Sequence, residues 1–148
     1  MEIEKIKISE LVQDPKNART HSEKNLKAIK GSLKKFGQQK PIVVSMENVV
    51  IAGNGTMQAA KELGWDELYV KRANLSEIDS AAFALADNKT AELAEWDDLM
   101  LSKTLDNLLN EGFEVEEIGF ELDDLPGIGV PPPEQDAPKS CPHCGGAL

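Results

Sequence analysis

Cysteine is nearly missing from this chain of 148 residues: there are two, both within the last eight positions. That excludes a disulfide framework for the body of the chain and makes a reducing cytoplasm the expected compartment. Aromatic residues are sparse, at 5%, and the two tryptophans, Trp65 and Trp96, lie far apart in sequence. They read as core anchors rather than as a base-stacking platform for single-stranded nucleic acid. No apolar run approaches the ~20 residues that cross a bilayer, so no membrane is expected. The opening Met1-Glu2-Ile3-Glu4-Lys5 carries acids where a secretion signal needs an apolar stretch. Basic residues are scarce in the second half, where residues 90–148 hold 2 Lys and Arg against 14 Asp and Glu. Residues 1–89 hold 14 against 12. An acidic half repels nucleic acid, which argues against strong non-specific DNA binding by the chain as a whole.

What is present is ordinary for a globular protein: 41% hydrophobic and 28% charged residues. The length suits one domain with a modest core and a tail. Basic charge concentrates in residues 16–40, with eight Lys and Arg and one acid, Glu23. Such a stretch is either a solvated helix face or a local phosphate-facing surface.

Along the chain, Ile6, Ile8 and Leu11 suggest a short opening strand, and Asp14-Pro15-Lys16-Asn17 is turn chemistry. Ser22 is placed to cap a helix whose apolar positions are Leu26, Ile29, Leu33 and Phe36, with Gly37 ending it. Ile42-Val43-Val44 and Val49-Val50-Ile51 read as strands of a hairpin around Met46-Glu47-Asn48. Ala52-Gly53-Asn54-Gly55 breaks the second strand. Thr56 is then the expected cap of a helix through Met57, Ala60 and Leu63, closed by Gly64. Leu68-Tyr69-Val70 is another strand, and Ser76 caps a helix that Asp87-Asn88-Lys89 is expected to interrupt or end. Trp96-Asp97 precedes a further helix through Leu101, Leu105 and Leu108, ended near Gly112, and Val115 to Leu125 suggest short packing turns. Six of eight prolines fall in residues 126–148, which read as an extended linker. The order predicts an α+β (mixed α/β) fold with a small mixed sheet. Residues 1–125 form the domain, about 76–125 supplying closing helices, and 126–148 form the tail.

The segment most informative about chemistry is Val49 to Thr56, a strand, a glycine-rich turn and a helix N-terminus. Such a junction offers free backbone N–H groups and the positive end of a helix dipole. The glycines let the backbone approach a phosphate closely, although paired glycines also occur in such turns for geometry alone. Phe36-Gly37-Gln38-Gln39-Lys40-Pro41 upstream and Asp87-Asn88-Lys89 downstream are two further polar segments that could converge with it. Arg19 and His21, ahead of the first helix, are a candidate phosphate contact and a candidate proton carrier. His21 also reads as a polar turn residue beside the cap. At the end of the chain, Cys141-Pro142-His143-Cys144-Gly145-Gly146 looks like half of a zinc ribbon knuckle, since structural zinc takes four ligands.

Taken as a set, these stretches resemble the ParB N-terminal domain family, the ParB-like nuclease domains that share a fold with sulfiredoxin. The resemblance is to the version preceding phage and mobile-element DNA methyltransferases. It rests on Ile8 to Leu11, Pro15 to His21, Phe36-Gly37-Gln38, Pro41 to Val44, Ile51 to Thr56, Ala59 to Gly64, Ala86 to Lys89 and Glu95-Trp96-Asp97, and covers about residues 3–125. It implies a nucleotide or nucleic-acid phosphate site, with a nucleoside triphosphate such as CTP or ATP, and magnesium, as the expected cofactors. By position, Gly37, Gln38 and Pro41 would wall the base and ribose, and Gly53, Asn54, Gly55 and Thr56 would cradle phosphates. Asp87 and Asn88 would hold a phosphate or the magnesium ion. The chain departs from the family where His or Glu is usual at Asn54 and Arg at Thr56. A threonine cannot make the bidentate phosphate contacts of an arginine.

Three functions follow as expectations. One is an accessory module binding nucleotide or DNA phosphate in a phage or mobile-element DNA-modification system, with DNA, a DNA methyltransferase or another DNA-metabolism protein, or a second copy of the chain as partner. Another is a nucleotide hydrolase, kinase or nuclease using the same turn. The third is a non-catalytic interaction scaffold. No helix-turn-helix follows the domain, so sequence-specific reading of DNA by this chain alone is not expected.

Overall fold

In a computed structural model of the chain, residues 1–121 are described. Strand β1 (Glu4–Lys7) leads through a 3₁₀ turn at Ile8–Glu10 to a two-residue strand β2 (Val12–Gln13). Helix α1 (Glu23–Phe36) follows, then strands β3 (Ile42–Val44) and β4 (Val49–Ala52), helix α2 (Asn54–Glu62) and strand β5 (Glu67–Arg72). Helices α3 (Glu77–Leu93) and α4 (Asp98–Asn110) and a 3₁₀ turn at Val115–Ile118 complete the described residues. This is the mixed α+β architecture expected from the sequence.

The sheet has the order β1-β5-β3-β4-β2. β1 and β5 are antiparallel, β5 and β3 parallel, β3 and β4 antiparallel, and β4 and β2 parallel. Val44, Val50 and Val70 on the three central strands have no exposed surface. Together with Leu68, Ile42, Leu26, Leu33 and Ala60 they form the core against which α1 and α2 pack. Burial of β-branched side chains from strands with neighbours on both sides is what such runs provide.

Local chemistry sets the helix ends. Ser22 Oγ accepts from Asn25 N at 3.1 Å at the start of α1. Ser76 and Asp97 cap α3 and α4 in the same way, at 3.1 Å to Asp79 N and Met100 N. The 3₁₀ turn at Val115–Ile118 lies against α1, where Gly31 faces the Glu117 carbonyl so closely that no Cβ fits between them. Lys35 closes this contact, its ammonium 3.7 Å from the Phe113 ring centroid and 3.0 Å from Glu117 Oε2.

Several sequence expectations are corrected. The opening strand stops at Lys7, and the chain re-enters the sheet as β2 on its opposite edge. α2 starts at Asn54, so Gly53, at φ +104°, occupies the N-cap position expected of Thr56. Asp87-Asn88-Lys89 does not break α3, which runs to Leu93. Asn88 Nδ2 donates to the Ala84 carbonyl at 2.9 Å and Thr90 Oγ1 to that of Ala86 at 2.8 Å, so these polar side chains are satisfied on the helix itself. Trp96 is 68% exposed, touching the Phe120 ring edge-on, and is not a core anchor. Trp65 does pack against the core. α3 has no buried residue.

Candidate functional site

The site begins with a helix end that lacks a side-chain cap. Gly53 offers no cap to α2, in contrast to Ser22, Ser76 and Asp97 on the other helices. The first N–H groups of α2 have no intrahelical acceptor, as at any helix N-terminus. Gly53 is required here twice over: its φ is +104°, and a Cβ would collide with the Ile42 side chain. Gly55, one turn position further, lies directly beneath the His21 ring, with Cε1 2.6 Å from where its own Cβ would stand.

A cavity of about 190 Å³ opens over this helix end, lined by Asn17, Arg19, His21, Gly53, Asn54, Gly55, Thr56, Asp87 and Asn88 among others. Three segments far apart in sequence therefore meet: the loop before α1, the turn from β4 into α2, and the middle of α3. A wider groove of about 510 Å³ adjoins it, sharing Asn17, Arg19 and His21 and adding Gln13, Asp14 and Gln58.

The side chains are already partly engaged. Arg19 Nη1 is 2.9 Å from Glu92 Oε1 on α3. His21 Nδ1 is 2.7 Å from Asn25 Oδ1. Asn54 turns its side chain inward, its Nδ2 donating to the Val50 carbonyl at 3.2 Å and its Oδ1 buried without a partner, so what it can give a ligand is its backbone N–H. Asp87 adds a carboxylate, and Asn88, whose Nδ2 is used within α3, retains its Oδ1.

Gly37, Gln38 and Pro41 do not line this cavity. Gln38 is bound to the sheet instead: its Oε1 accepts from Tyr69 N at 2.8 Å and its Nε2 donates to Tyr69 O at 2.9 Å, as a strand residue would. Cys141 and Cys144 lie outside the described residues. Sequence reasoning did not find Glu92 or Gln58. Neither belongs to a motif, and only the packing of α3 and α2 beside the loop brings them there.

The basic stretch 16–40 is also engaged. Arg19 pairs with Glu92, Lys24 with Glu121 and Lys35 with Glu117, all toward the acidic part of the chain, while Lys16 pairs with Glu77 on α3 and Lys30 with Glu62 on α2. The hydrogen bond from Lys16 holds the Glu77 carboxyl below the usual carboxylate range, and that from Lys30 does the same to Glu62.

The ParB N-terminal domain model matches residues 1–89, more than half of the chain. The chain belongs to the ParB N-terminal domain family. The ParB-like nuclease domain-containing protein YnaK of Escherichia coli (strain K12) is 36% identical over 72 residues, covering 45% of this chain and 83% of YnaK. Among solved structures, the C-terminally truncated chromosome-partitioning protein ParB from Caulobacter crescentus complexed with CTP-gamma-S superposes with a TM-score of 0.69 at 21% identity. That match covers 82% of this chain and 73% of ParB. The same ParB complexed to the centromeric parS site superposes at 0.51 and 21% identity, covering 80% and 65%. At these identities the structural matches speak for the fold. Among the described residues, no helix is long and apolar enough to cross a membrane, and no three His, Cys, Asp or Glu side chains converge as a metal site.

Proposed function

We propose that this ParB-family domain binds a nucleoside triphosphate, CTP or ATP, with its phosphates on the N-terminus of α2. The observation that carries this reading is the single cavity in which the uncapped amides of Asn54, Gly55 and Thr56 meet Arg19, Asp87 and Asn88. Backbone N–H groups and a helix dipole favour an anion there, Arg19 adds a charge-assisted contact, and Thr56 a hydroxyl donor. Asp87 and the Asn88 Oδ1 are hard oxygen donors. They fit a magnesium ion that completes its shell with phosphate oxygens and water, as magnesium commonly does. When bound, that ion would neutralise phosphate charge beside the Asp87 carboxylate. The turn Gly53–Thr56 carries no charged residue, which favours binding over hydrolysis, phosphotransfer or nuclease chemistry.

The ParB complex with CTP-gamma-S supports a nucleotide, and the ParB complex with parS supports DNA as a partner of such domains. We place the domain in DNA modification or phage DNA metabolism, with a DNA methyltransferase as partner, on the strength of the motif set above. The test is calorimetric titration with CTP and with ATP, each with magnesium. Saturable binding that disappears in Gly55→Asp is expected, and unchanged affinity in that variant would place the ligand elsewhere.

An interaction role is favoured by one further observation. α3, the loop after it and the start of α4 leave Ile78, Leu85, Leu93, Trp96 and Leu99 each more than half exposed, while α3 buries no residue. We read it as the seat of a second copy of the chain. Sedimentation should show a concentration-dependent dimer that Leu85→Lys with Leu93→Lys dissociates, and a monomer at all concentrations would remove this reading.

A further inference from the structure

The imidazole of His21 occupies the volume that a side chain at Gly55 would fill: Cε1, Nδ1 and Nε2 lie 2.6, 2.8 and 3.0 Å from the position of its missing Cβ. The ring therefore stands on the second residue of α2, whose amide belongs to the anion-binding helix end. It lines both the cavity and the adjoining groove. Asn25 from α1 holds Nδ1 at 2.7 Å, which fixes the ring plane and leaves Nε2 as the atom with hydrogen-bonding capacity to spare.

The charged groups around it are few. Arg19 on the same loop is bonded to Glu92, Asp87 comes from α3, and Asp14 faces the groove. The first turn of α2 carries no acid, and Asn25 is neutral. His21 is thus a cavity residue able to become a cation to which no carboxylate is hydrogen-bonded among the described residues.

We propose that His21 is a ligand-contacting residue of this site. Protonated, it donates through Nε2 to a phosphate oxygen held on the α2 amides, so that proton uptake and anion binding are linked. The inference rests on the phosphate reading of the cavity and adds to it a titratable contact. The ligand class it selects is a multiply charged phosphate, whose field favours the imidazolium. By reciprocity, the ligand raises the proton affinity of His21 as much as the proton raises that of the site for the ligand.

The probe is inorganic triphosphate, titrated calorimetrically into the whole chain and into His21→Gln from about pH 5.5 to about pH 8, the window in which histidine changes charge. Comparing the two proteins at each pH cancels the ionisation of the triphosphate itself. The native protein is expected to bind about tenfold more tightly than His21→Gln at the acid end, as for a hydrogen bond between charged groups, with the ratio falling toward one at the alkaline end. Gly55→Ala, which pushes the ring off the helix, should flatten the ratio in the same way. A measurement on the native protein needs no variant: the NMR titration midpoint of His21, distinguished from that of His143, should move up when triphosphate saturates the site. A ratio of one throughout, a ratio above one that ignores pH, or an unmoved midpoint would each overturn the proposal. The second of these would make the ring a packing element on Gly55. If neither protein binds triphosphate, CTP or ATP at any pH, the phosphate reading itself fails and His21 has no anion to contact.

Discussion

Arg19 Nη1 sits 2.9 Å from Glu92 Oε1, so the guanidinium that lines the cavity is bonded to a carboxylate that does not line it. A phosphate arriving at the α2 N-terminus must share Arg19 with Glu92. Exposed ion pairs of this kind contribute about 0.2–1 kcal/mol. Glu92→Gln should therefore tighten triphosphate binding by about two- to fivefold. In an Arg19→Ala background the same change should give no gain, a cycle that isolates the pair from the general effect of removing an acid. A gain that persists without Arg19 would mean that Glu92 acts on the ligand directly.

Gly53 and Gly64 both have positive φ, +104° and +78°, but only Gly53 has a neighbour, Ile42, in the space a Cβ would enter. Gly64→Ala carries the backbone cost alone, about 1–2 kcal/mol. Gly53→Ala adds a steric clash in a close-packed region, for a further ~1–3 kcal/mol. Urea denaturation of the two variants should show a clearly lower midpoint for Gly53→Ala, and equal midpoints would show that Ile42 yields.

Gly31→Ala drives a methyl group into the Glu117 carbonyl. It should cost about 1–3 kcal/mol and detach the 3₁₀ turn at Val115–Ile118 from α1. Hydrogen exchange at the amides of Glu117 and Gly119 should then accelerate while exchange in the central strands does not. Uniform acceleration would mean that the turn unfolds with the whole domain.

Glu77 is held below 4.5, the ordinary value, first by the hydrogen bond from Lys16 and then by its charge. Because the folded group is the stronger acid, its contribution to stability is present above the unfolded midpoint and fades as pH falls through the folded one. Both side chains are exposed, so salt should erase much of the effect. An NMR titration should find the Glu77 midpoint low in the native protein and ordinary in Lys16→Ala. A low midpoint in both would assign the shift to another cause.

What could be read from the sequence was what local chemistry decides. Ser22, Ser76 and Asp97 signal helix starts because an N-cap needs only its own next three residues. The β3–β4 hairpin follows from two β-branched runs around a short turn. β2 escaped because Val12 and Gln13 become a strand only by pairing with Val49 and Val50, some 37 residues on. Asp87-Asn88-Lys89 looks like a helix breaker in composition, yet back-bonding to Ala84 lets α3 continue. In the site, the glycine turn and Asp87-Asn88 were visible as motifs. The seating of His21 on Gly55 was not, because nothing at either position announces a contact across 34 residues of chain. Gln38 was visible as a polar loop residue, but its partner is the backbone of Tyr69.

The sheet order places β1 and β2, separated in sequence by little more than a 3₁₀ turn, on opposite margins of a five-stranded sheet. Residues 4–13 thus act as a strap running from one margin to the other, joined to β5 at Glu4↔Val70 and to β4 at Val12↔Val49. Neither margin can be finished until distant chain has been made, and the β1 side waits for β5, more than sixty residues later. Such long-range closure is slow: β2 can pair once β4 of the hairpin has been made, but the free edge of β3 stays open until β5 arrives and β1 joins it. Removing residues 4–13 would take away both edge strands together, so one ten-residue segment governs both margins of the sheet.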